Sequence, residues 1–520
     1  MNMVRRSWFP ALLLVAFTLR MLNLTGESLW RDEVDIVRFA QLPLQNLLQN
    51  FPRAGFNGPL YLLLMRGWFA LVGVSDFSLR YFSLLFGLLL IVLVYVLARR
   101  LLGRSSAQVA ALLMALSPVH IWYAGEGKMY TLQPALLVLA LYALLRALHR
   151  NSPAAFVPTL SPSAARPNPW WLVLFISCSA AFYVHLLSPL VLMVMAAWVG
   201  MNWPVARRHV RPLLVTAGLL ILPYLPLLAW QLPSLLQGGG SGHAFVPLNT
   251  LLLALFSDWS IGFGTGAPLF FMLQPEPLRA AAIGLFVGLA LVGGLGQLTH
   301  APRATAMVTT WLLLPPVLIF LVSLRVPVFQ PRYLLWCAPA FYILIGALRG
   351  SLPGLRWLGF TGCACIAFLG VGAQISTPIR PDVRGASAFI AAQAQPGDAL
   401  VFQIPYGRYG FEYYFQQSAS NDQKQQQQTA LATLTMVEAP YTNYGLSEAD
   451  IAKTLWQGIG PARRIWLIET EAELWDENGR VRQWFDTTLP LLQKADFRGV
   501  RLSLHQTSLD KRQYIPTIQR

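Results

Sequence analysis

The chain has 520 residues, of which 55% are hydrophobic and only 12% charged, about half the charged share of an ordinary soluble domain. That composition excludes a free-standing soluble domain and a disordered chain, and it asks for a polytopic helical membrane protein. The net charge of +16 belongs to residues 1–373, because Lys+Arg and Asp+Glu number 15 each beyond them; this argues against nucleic acid and for membrane lipids and the positive-inside rule.

In chain order, Met1–Ser7 is basic, but "WFPALLLVAFTLRMLNL" lacks a small-residue cleavage site and reads as a retained first helix. Spans are expected near 8–24, 79–98, 106–124, 130–147, 170–185, 187–203, 212–231, 278–298, 306–324, 333–348 and 356–373. The basic segments "MVRRS", "ARRLLGR", "RALHR", "VARRHVR", "HAPRAT" and "LRGSLPGLR" fall between alternate pairs and are assigned to the cytoplasm. "ARRLLGR" is cytoplasmic only if "GPLYLLLMRGWFALVG" (58–73) does not cross. It is short and carries Arg66 at its centre, so it is expected as an amphipathic helix on the outer surface.

With this threading all eight acids of the membrane part, Glu27, Asp32, Glu33, Asp35, Asp76, Glu126, Asp258 and Glu276, lie outside or at the outer rim. Acids hardly steer topology, so their one-sided placement points to a reaction site there. About 11 crossings make residues 1–373 a transmembrane bundle with a first outer loop at 25–78, and put residues 374–520 outside. The tail is expected to be a small α/β domain, with strands at "QPGDALVFQIP", "PARRIWLIET" and "GVRLSLHQT" and helices at 383–394 and 447–457. "NDQKQQQQTA" reads as a low-complexity loop, and no repeat of fixed period occurs.

The four cysteines, Cys178, Cys337, Cys363 and Cys365, sit in hydrophobic runs and suggest neither disulfides nor zinc. The stretch "SLWRDEVD" crowds Asp32, Glu33 and Asp35 against Arg31. A carboxylate balanced between desolvation and a cation suits a general base; the bland alternative is acids complementing a helix N-terminus. "SPVHIWYAGEGKMYTLQP" brings Glu126, Lys128 and Tyr130 to the outer rim, where Lys128 can bind a phosphate that Glu126 orients. "VFQPRYLLWCAP" adds Arg332 and Tyr333, with Arg325 seven residues earlier; outer-face cations fit a lipid-linked phosphate or snorkel to headgroups. His185 in "FYVHLLSP" is open between metal ligand, hydrogen-bond donor and turn residue. His243 and Asp258 belong to a long outer loop, 232–277, whose "QGGGSGH" suits a mobile cover. Nucleotide-binding and metalloprotease motifs are absent from the sequence.

The ordered set "SLWRDEVD", "FNGPLYLLLMRGW", "SLRYFSLLFGLLL", "SPVHIWYAGEGKMYTL", "FYVHLLSPL" and "PRYLLWCAPA" resembles the bacterial polytopic glycosyltransferases of the GT-C type, relatives of the protein O-mannosyltransferases and the lipid A aminoarabinose transferase (glycosyltransferase family 39-like). "RPDVRGASAFIAAQAQPGDALV" is similar to the opening of the outer domain in bacterial members. The resemblance implies inverting transfer of a sugar from a polyprenyl-phosphate donor to a lipid, glycan or protein acceptor, on the extracytoplasmic face of the plasma (inner) membrane. It implies Asp32 as base with Glu33 beside it, and surface helices in the first loop. Glu126, Lys128, Tyr130, Arg332, Tyr333 and Arg325 are then expected at the donor phosphate. Arg31, Asp35, Asn57, Tyr61 and His185 are expected as further donor or acceptor contacts. No cofactor is expected to be obligatory, although a divalent cation is compatible with the loop. Members commonly read "QEARMY" and "HPPLYY" where this chain has "GEGKMY" and "NGPLYL", so Lys128 stands for an arginine and Asn57 for a histidine. A lipid-linked-sugar flippase, the main alternative, is expected to show repeats and midplane charges; a scaffold would leave the acidic loop unexplained.

Overall fold

A computed structural model describes residues 2–49, 57–149, 168–236, 244–262, 276–348, 353–417, 431–443 and 445–507. "QGGGSGH" with His243 and the "NDQKQQQQTA" segment lie outside the described residues. The chain forms two compact units, Met1–Leu24 with Phe39–Thr377, and Thr25–Arg38 with Pro378–Arg520. The opening of the expected first loop is therefore grouped with the C-terminal residues.

The first unit is helical. Its elements are α1 (Asn2–Met21), the last turn of α2 (Arg31–Gln41), α3 (Leu44–Leu48), α4 (Leu60–Val72), α5 (Asp76–Leu101), α6 (Gly103–Leu116), α7 (Pro118–Ala124), α8 (Leu132–Leu148), α9 (Pro169–Val184), α10 (Leu190–Met201), α11 (Trp203–Ala206), α12 (Val210–Leu236), α13 (Leu248–Ile261), α14 (Glu276–Gln297) and α15 (Pro302–Ser323). Short 3₁₀ turns at Arg207–His209 and Pro331–Cys337, with α16 (Ala338–Gly346) and α17 (Pro353–Ser376), are the other described elements. Every stretch expected to span carries helix. Among the described residues, five helices are long and apolar enough to cross a membrane: Asp76–Leu101, Trp203–Ala229, Glu276–Gln297, Pro302–Ser323 and Arg356–Ser376. The pair α6 and α7, bent by 58°, makes a sixth if it counts as one span. Helix α13 falls inside the segment expected to be a long loop; it is short, and it packs against α14 and α15.

The α6–α7 bend is written in Ser117-Pro118. A proline lacks the N–H that would continue the helix and pushes the preceding residue out of helical geometry, and Ser117 is extended (φ −62°, ψ 119°). The break strips the last carbonyls of α6 of helical partners. Arg20 of α1, itself buried, donates to Met114 O and Ala115 O, both at 3.1 Å, and to Ala16 O at 3.0 Å. A buried arginine is tolerable in such a setting because carbonyls replace its water. Arg66, at the centre of α4, donates to Ala40 O and Leu42 O, carbonyls at the C-terminal end of α2, where a cation also complements the helix dipole.

The second unit carries a five-stranded sheet in the order β2-β1-β3-β5-β4. β1 (Ala399–Phe402) lies parallel to β2 (Thr435–Glu438) and to β3 (Arg464–Glu469), while β5 (Val500–Gln506) is antiparallel to β3 and to β4 (Leu491–Phe497). Successive strand residues face opposite sides. Leu400, Phe402, Trp466, Ile468, Leu502 and Leu504 pack under α18 (Val383–Gln393) and α19 (Gly407–Gln417). Ala399, Val401, Val437, Ile465 and Leu467 pack under α20 (Glu448–Ile459) and α21 (Arg480–Thr488). The three expected strands and two expected helices are present; β2, β4, α19 and α21 are additional.

Gly58 lies against the backbone of Tyr183, where a Cβ would overlap the Tyr183 carbonyl, whereas a Cβ on Gly67 of α4 meets nothing within 4 Å. Gly58→Ala is expected to lower the stability of the first unit by about 1–3 kcal/mol through overpacking. Gly67→Ala is expected to leave it unchanged or raise it by about 0.5–1 kcal/mol. Thermal unfolding of the two purified variants in one lipid preparation checks the contrast.

Candidate active site

Within the second unit, residues 25–38 are held by a dense polar network. Glu33 reaches back to accept from Trp30 N (3.3 Å), as a glutamate three residues into a helix does in a capping box. Its carboxylate is 0% exposed and receives Arg380 Nη1 at 3.1 Å. Glu27 accepts from Ile379 N (2.6 Å) and Arg380 N (2.9 Å) and lies 3.9 Å from Arg380 Nε. Leu29 N donates to Tyr414 Oη at 2.6 Å, and Ser28 Oγ accepts from Arg384 N while donating to Asp382. Charge-assisted bonds of this kind are the strong ones.

The network sorts the three acids of "SLWRDEVD". Glu33 is spent on Arg380 and on the helix start, which makes it a positioning group for α2. Asp32 keeps 27% of its side chain exposed, with Arg31 Nε 3.9 Å away. Asp35 pairs with Arg38 at 3.7 Å. Arg31 stacks on Tyr406 with 4.6 Å to the ring centroid, and Arg38 on Tyr409 at 3.6 Å. Glu471 adopts φ 45°, a left-handed conformation that non-glycine residues rarely hold. Burial pushes its carboxyl pKa up, and the charge of Arg31 opposes that rise.

Within the first unit, α7 ends at Gly125 and a turn delivers Glu126, Lys128 and Tyr130. Glu126 is 1% exposed. The turn is anchored from α5, where Ser83 Oγ donates to Lys128 O (3.0 Å) and Ser83 O accepts from Thr131 Oγ1 (2.8 Å). Tyr61 Oη joins the same serine at 3.4 Å. Tyr123 meets Tyr130 edge-on at 5.2 Å, and the Arg332 guanidinium stands 5.6 Å from the Tyr130 ring and 5.7 Å from that of Tyr333. His185 lies 4.9 Å from the Tyr333 ring. Its Nδ1 accepts from Leu187 N (3.2 Å), which leaves the proton on Nε2. His185 Nε2 and Arg332 Nε are both buried and without a hydrogen-bond partner among the described residues. Native interiors rarely leave two such donors unmatched.

The structure thus brings Glu126, Tyr130, His185, Arg332 and Tyr333 together in the first unit, with Tyr61 and Lys128 tied to them through Ser83. Asn57 Oδ1 accepts from Leu186 N at 3.4 Å and so supports the His185 turn. Arg31, Asp32, Glu33 and Asp35 belong to the second unit. Arg325 is exposed just past α15 and makes no side-chain hydrogen bond or ion pair among the described residues. Sequence reasoning missed Arg380, although it stands in the quoted "RPDVRG" run. It also missed Ser83, which carries no signal beyond a serine on an apolar helix. Among the described residues no group of three or more His, Cys, Asp or Glu side chains is arranged to hold a metal ion.

Residues 57–230 match the family model described as dolichyl-phosphate-mannose-protein mannosyltransferase. That stretch contains Asn57, Tyr61, Glu126, Lys128, Tyr130 and His185; Asp32 and Arg332 flank it. No curated protein matches the chain. Among solved structures, ArnT from Cupriavidus metallidurans in the apo state is similar over 96% of this chain and 98% of its own, with 14% identity and a TM-score of 0.56. The same protein bound to undecaprenyl phosphate gives 0.55 at the same identity and coverage. The Archaeoglobus fulgidus oligosaccharyltransferase tethered to an acceptor peptide gives 0.55, with 14% identity, over 98% of this chain and 75% of its own. The fold is therefore that of the GT-C glycosyltransferases.

Removing Arg380 leaves Glu33 buried without its counter-charge, the costly way to break such a pair. Arg380→Met is expected to destabilise the second unit by about 3–5 kcal/mol, and Glu33→Met in the same chain to recover part of that loss. A double-mutant cycle on the unfolding free energy checks both.

Proposed function

We propose that this chain is an integral membrane glycosyltransferase that moves a sugar from a polyprenyl-phosphate donor to an acceptor on the extracytoplasmic face of the inner membrane. The observation that carries this reading is the pair of buried N–H groups on His185 and Arg332, beside Tyr130, that have no hydrogen-bond partner among the described residues. An anion with a desolvated attachment, such as a lipid-linked phosphate, satisfies them. Family likeness over 57–230 and the GT-C fold support it. So do the undecaprenyl phosphate bound by ArnT and the acceptor peptide tethered to the archaeal enzyme.

In the proposed mechanism Asp32 takes the proton of an acceptor hydroxyl or amine as that atom attacks the anomeric carbon. The new glycosidic bond forms as the bond from carbon to phosphate oxygen breaks on the opposite face, so configuration inverts. Negative charge grows on the departing lipid phosphate. Arg332, Lys128 and the His185 Nε2–H answer that charge from fixed positions, and preorganised donors of this type supply much of an enzyme's rate gain. Lys128 acts as a point charge where an arginine would grip two oxygens. Glu126 holds Arg332 and the tyrosines in place, and Glu33 sets the pitch of the helix that carries Asp32. In this scheme no metal is required, and the C-terminal unit belongs with the acceptor.

Asp32→Asn is expected to cut transfer by about 100- to 10,000-fold with expression and unfolding temperature unchanged. Arg332→Met is expected to lower kcat as well as to raise the donor KM, because Arg332 faces charge already on the donor phosphate and the charge added in the transition state. Both are read from product formed by purified protein on defined polyprenyl-phosphate sugars, identified by mass spectrometry. Full activity of the Asp32→Asn protein would remove Asp32 as the base.

A further inference from the structure

The second unit contains a cavity of about 70 Å³ between the α18–α19 layer, the sheet face beneath it and residues 29–34. Its walls are apolar for the most part, with Trp30, Phe402 and Phe411 among them. Phe402 and Phe411 are already set edge-on, 5.6 Å apart at 61°. Beside the polar residues Arg31, Tyr406, Thr470 and Glu471, two of the lining residues, Trp30 and Ser387, carry a buried polar atom without a hydrogen-bond partner among the described residues. These atoms are Trp30 Nε1 and the Oγ of Ser387, a residue that is 0% exposed. Native interiors rarely leave such groups unmatched, and each unmatched one costs about 1–3 kcal/mol. The rim carries Arg31 stacked on Tyr406, and Glu471 in its left-handed conformation. Strain of that kind gathers at functional sites.

We propose that this cavity is an acceptor-recognition pocket that takes a phenol-like ring. Space for roughly half a dozen heavy atoms fits one six-membered ring. A whole sugar is the wrong occupant, because a pyranose has about a dozen heavy atoms, roughly twice what this space takes. A plain alkyl group leaves both of the buried polar atoms unmatched. A phenol oxygen accepts from Trp30 Nε1–H while its hydroxyl donates to Ser387 Oγ, and the ring meets aromatic walls edge-on. The residue after Arg31 is Asp32, so a ring held here places the rest of the acceptor beside the base. The acceptor role rests on the transferase reading; occupation of the pocket does not.

The test uses the full chain in lipid nanodiscs, with 4-fluorophenol and fluorobenzene as ¹⁹F NMR probes and empty nanodiscs as the partition control. Saturable 4-fluorophenol binding, tighter than that of fluorobenzene, is expected. Ser387→Ala is expected to weaken it by about 3- to 10-fold without affecting fluorobenzene. Ala386→Leu fills the space and is expected to abolish binding of both probes; if that variant does not fold, Ser387→Val serves in its place. Equal binding of the two probes, or an unchanged affinity in Ser387→Ala, overturns the proposal. Asp32→Asn is expected to bind the probe like the unmodified chain while losing transfer. Transfer activity without probe binding would sink the pocket and spare the transferase; probe binding in a chain with no transfer would do the reverse.

Discussion

The ion pair between Glu33 and Arg380, with Glu27 as a second acceptor, governs the chemistry proposed for this protein. A carboxylate with no exposure is costly unless it is paired and hydrogen-bonded, and Glu33 has both Arg380 and the Trp30 amide against it. The residue next to Glu33 is Asp32, which keeps its contact with water. One dipeptide thus divides its labour, with one acid sunk as an anchor and the other left accessible. The division depends on Arg380, which comes from 347 residues further along the chain. The partition of "SLWRDEVD" into a buried acid and a partly exposed one is therefore a tertiary property.

A comparable logic operates in the helical unit. Ser117-Pro118 breaks a helix inside apolar surroundings, and Arg20 takes up two of the carbonyls so exposed. The break sends α7 off at 58°, and the turn that follows carries Glu126, Lys128 and Tyr130. Buried polar groups are costly in such an environment unless matched, so a bend with its own matched arginine is a stable way to aim a turn. Within the tyrosine cluster, His185 Nε2 and Arg332 Nε are donors left without a hydrogen-bond partner among the described residues.

Much of this was legible in the sequence. Long apolar runs separated by basic loops located the helices, because lipid and interior both demand continuous apolarity. Three strands of the C-terminal unit showed themselves as buried β-branched or aromatic runs, such as "RRIWLIE". The parts that escaped have weak or mixed signals. β2 is four residues long and mostly solvent-facing, β4 is an edge strand with alternate residues exposed, and α21, "RVRQWFDTT", buries only Val481 and Phe485. α13 hid inside a presumed loop because fourteen residues with an aspartate near the end look too short to cross. Of the candidate site, the motifs named Glu126, Tyr130, Arg332 and Tyr333. They could not reveal that Glu33 is entombed, that Asn57 braces a turn, or that Arg325 is exposed without a side-chain partner among the described residues, since each fact depends on how distant segments pack.

Residues 25–38 are grouped with Pro378–Arg520 although more than three hundred positions separate them in the chain. Cutting the chain after Thr377 would thus do more than discard a sheet. It would strip Glu27 and Glu33 of their cation, leave Leu29 without its tyrosine, and turn a rigid helix start into a floppy acidic tether. Attempts to trim this protein to its helices for crystallography or engineering would keep every atom of the aspartate and lose its address.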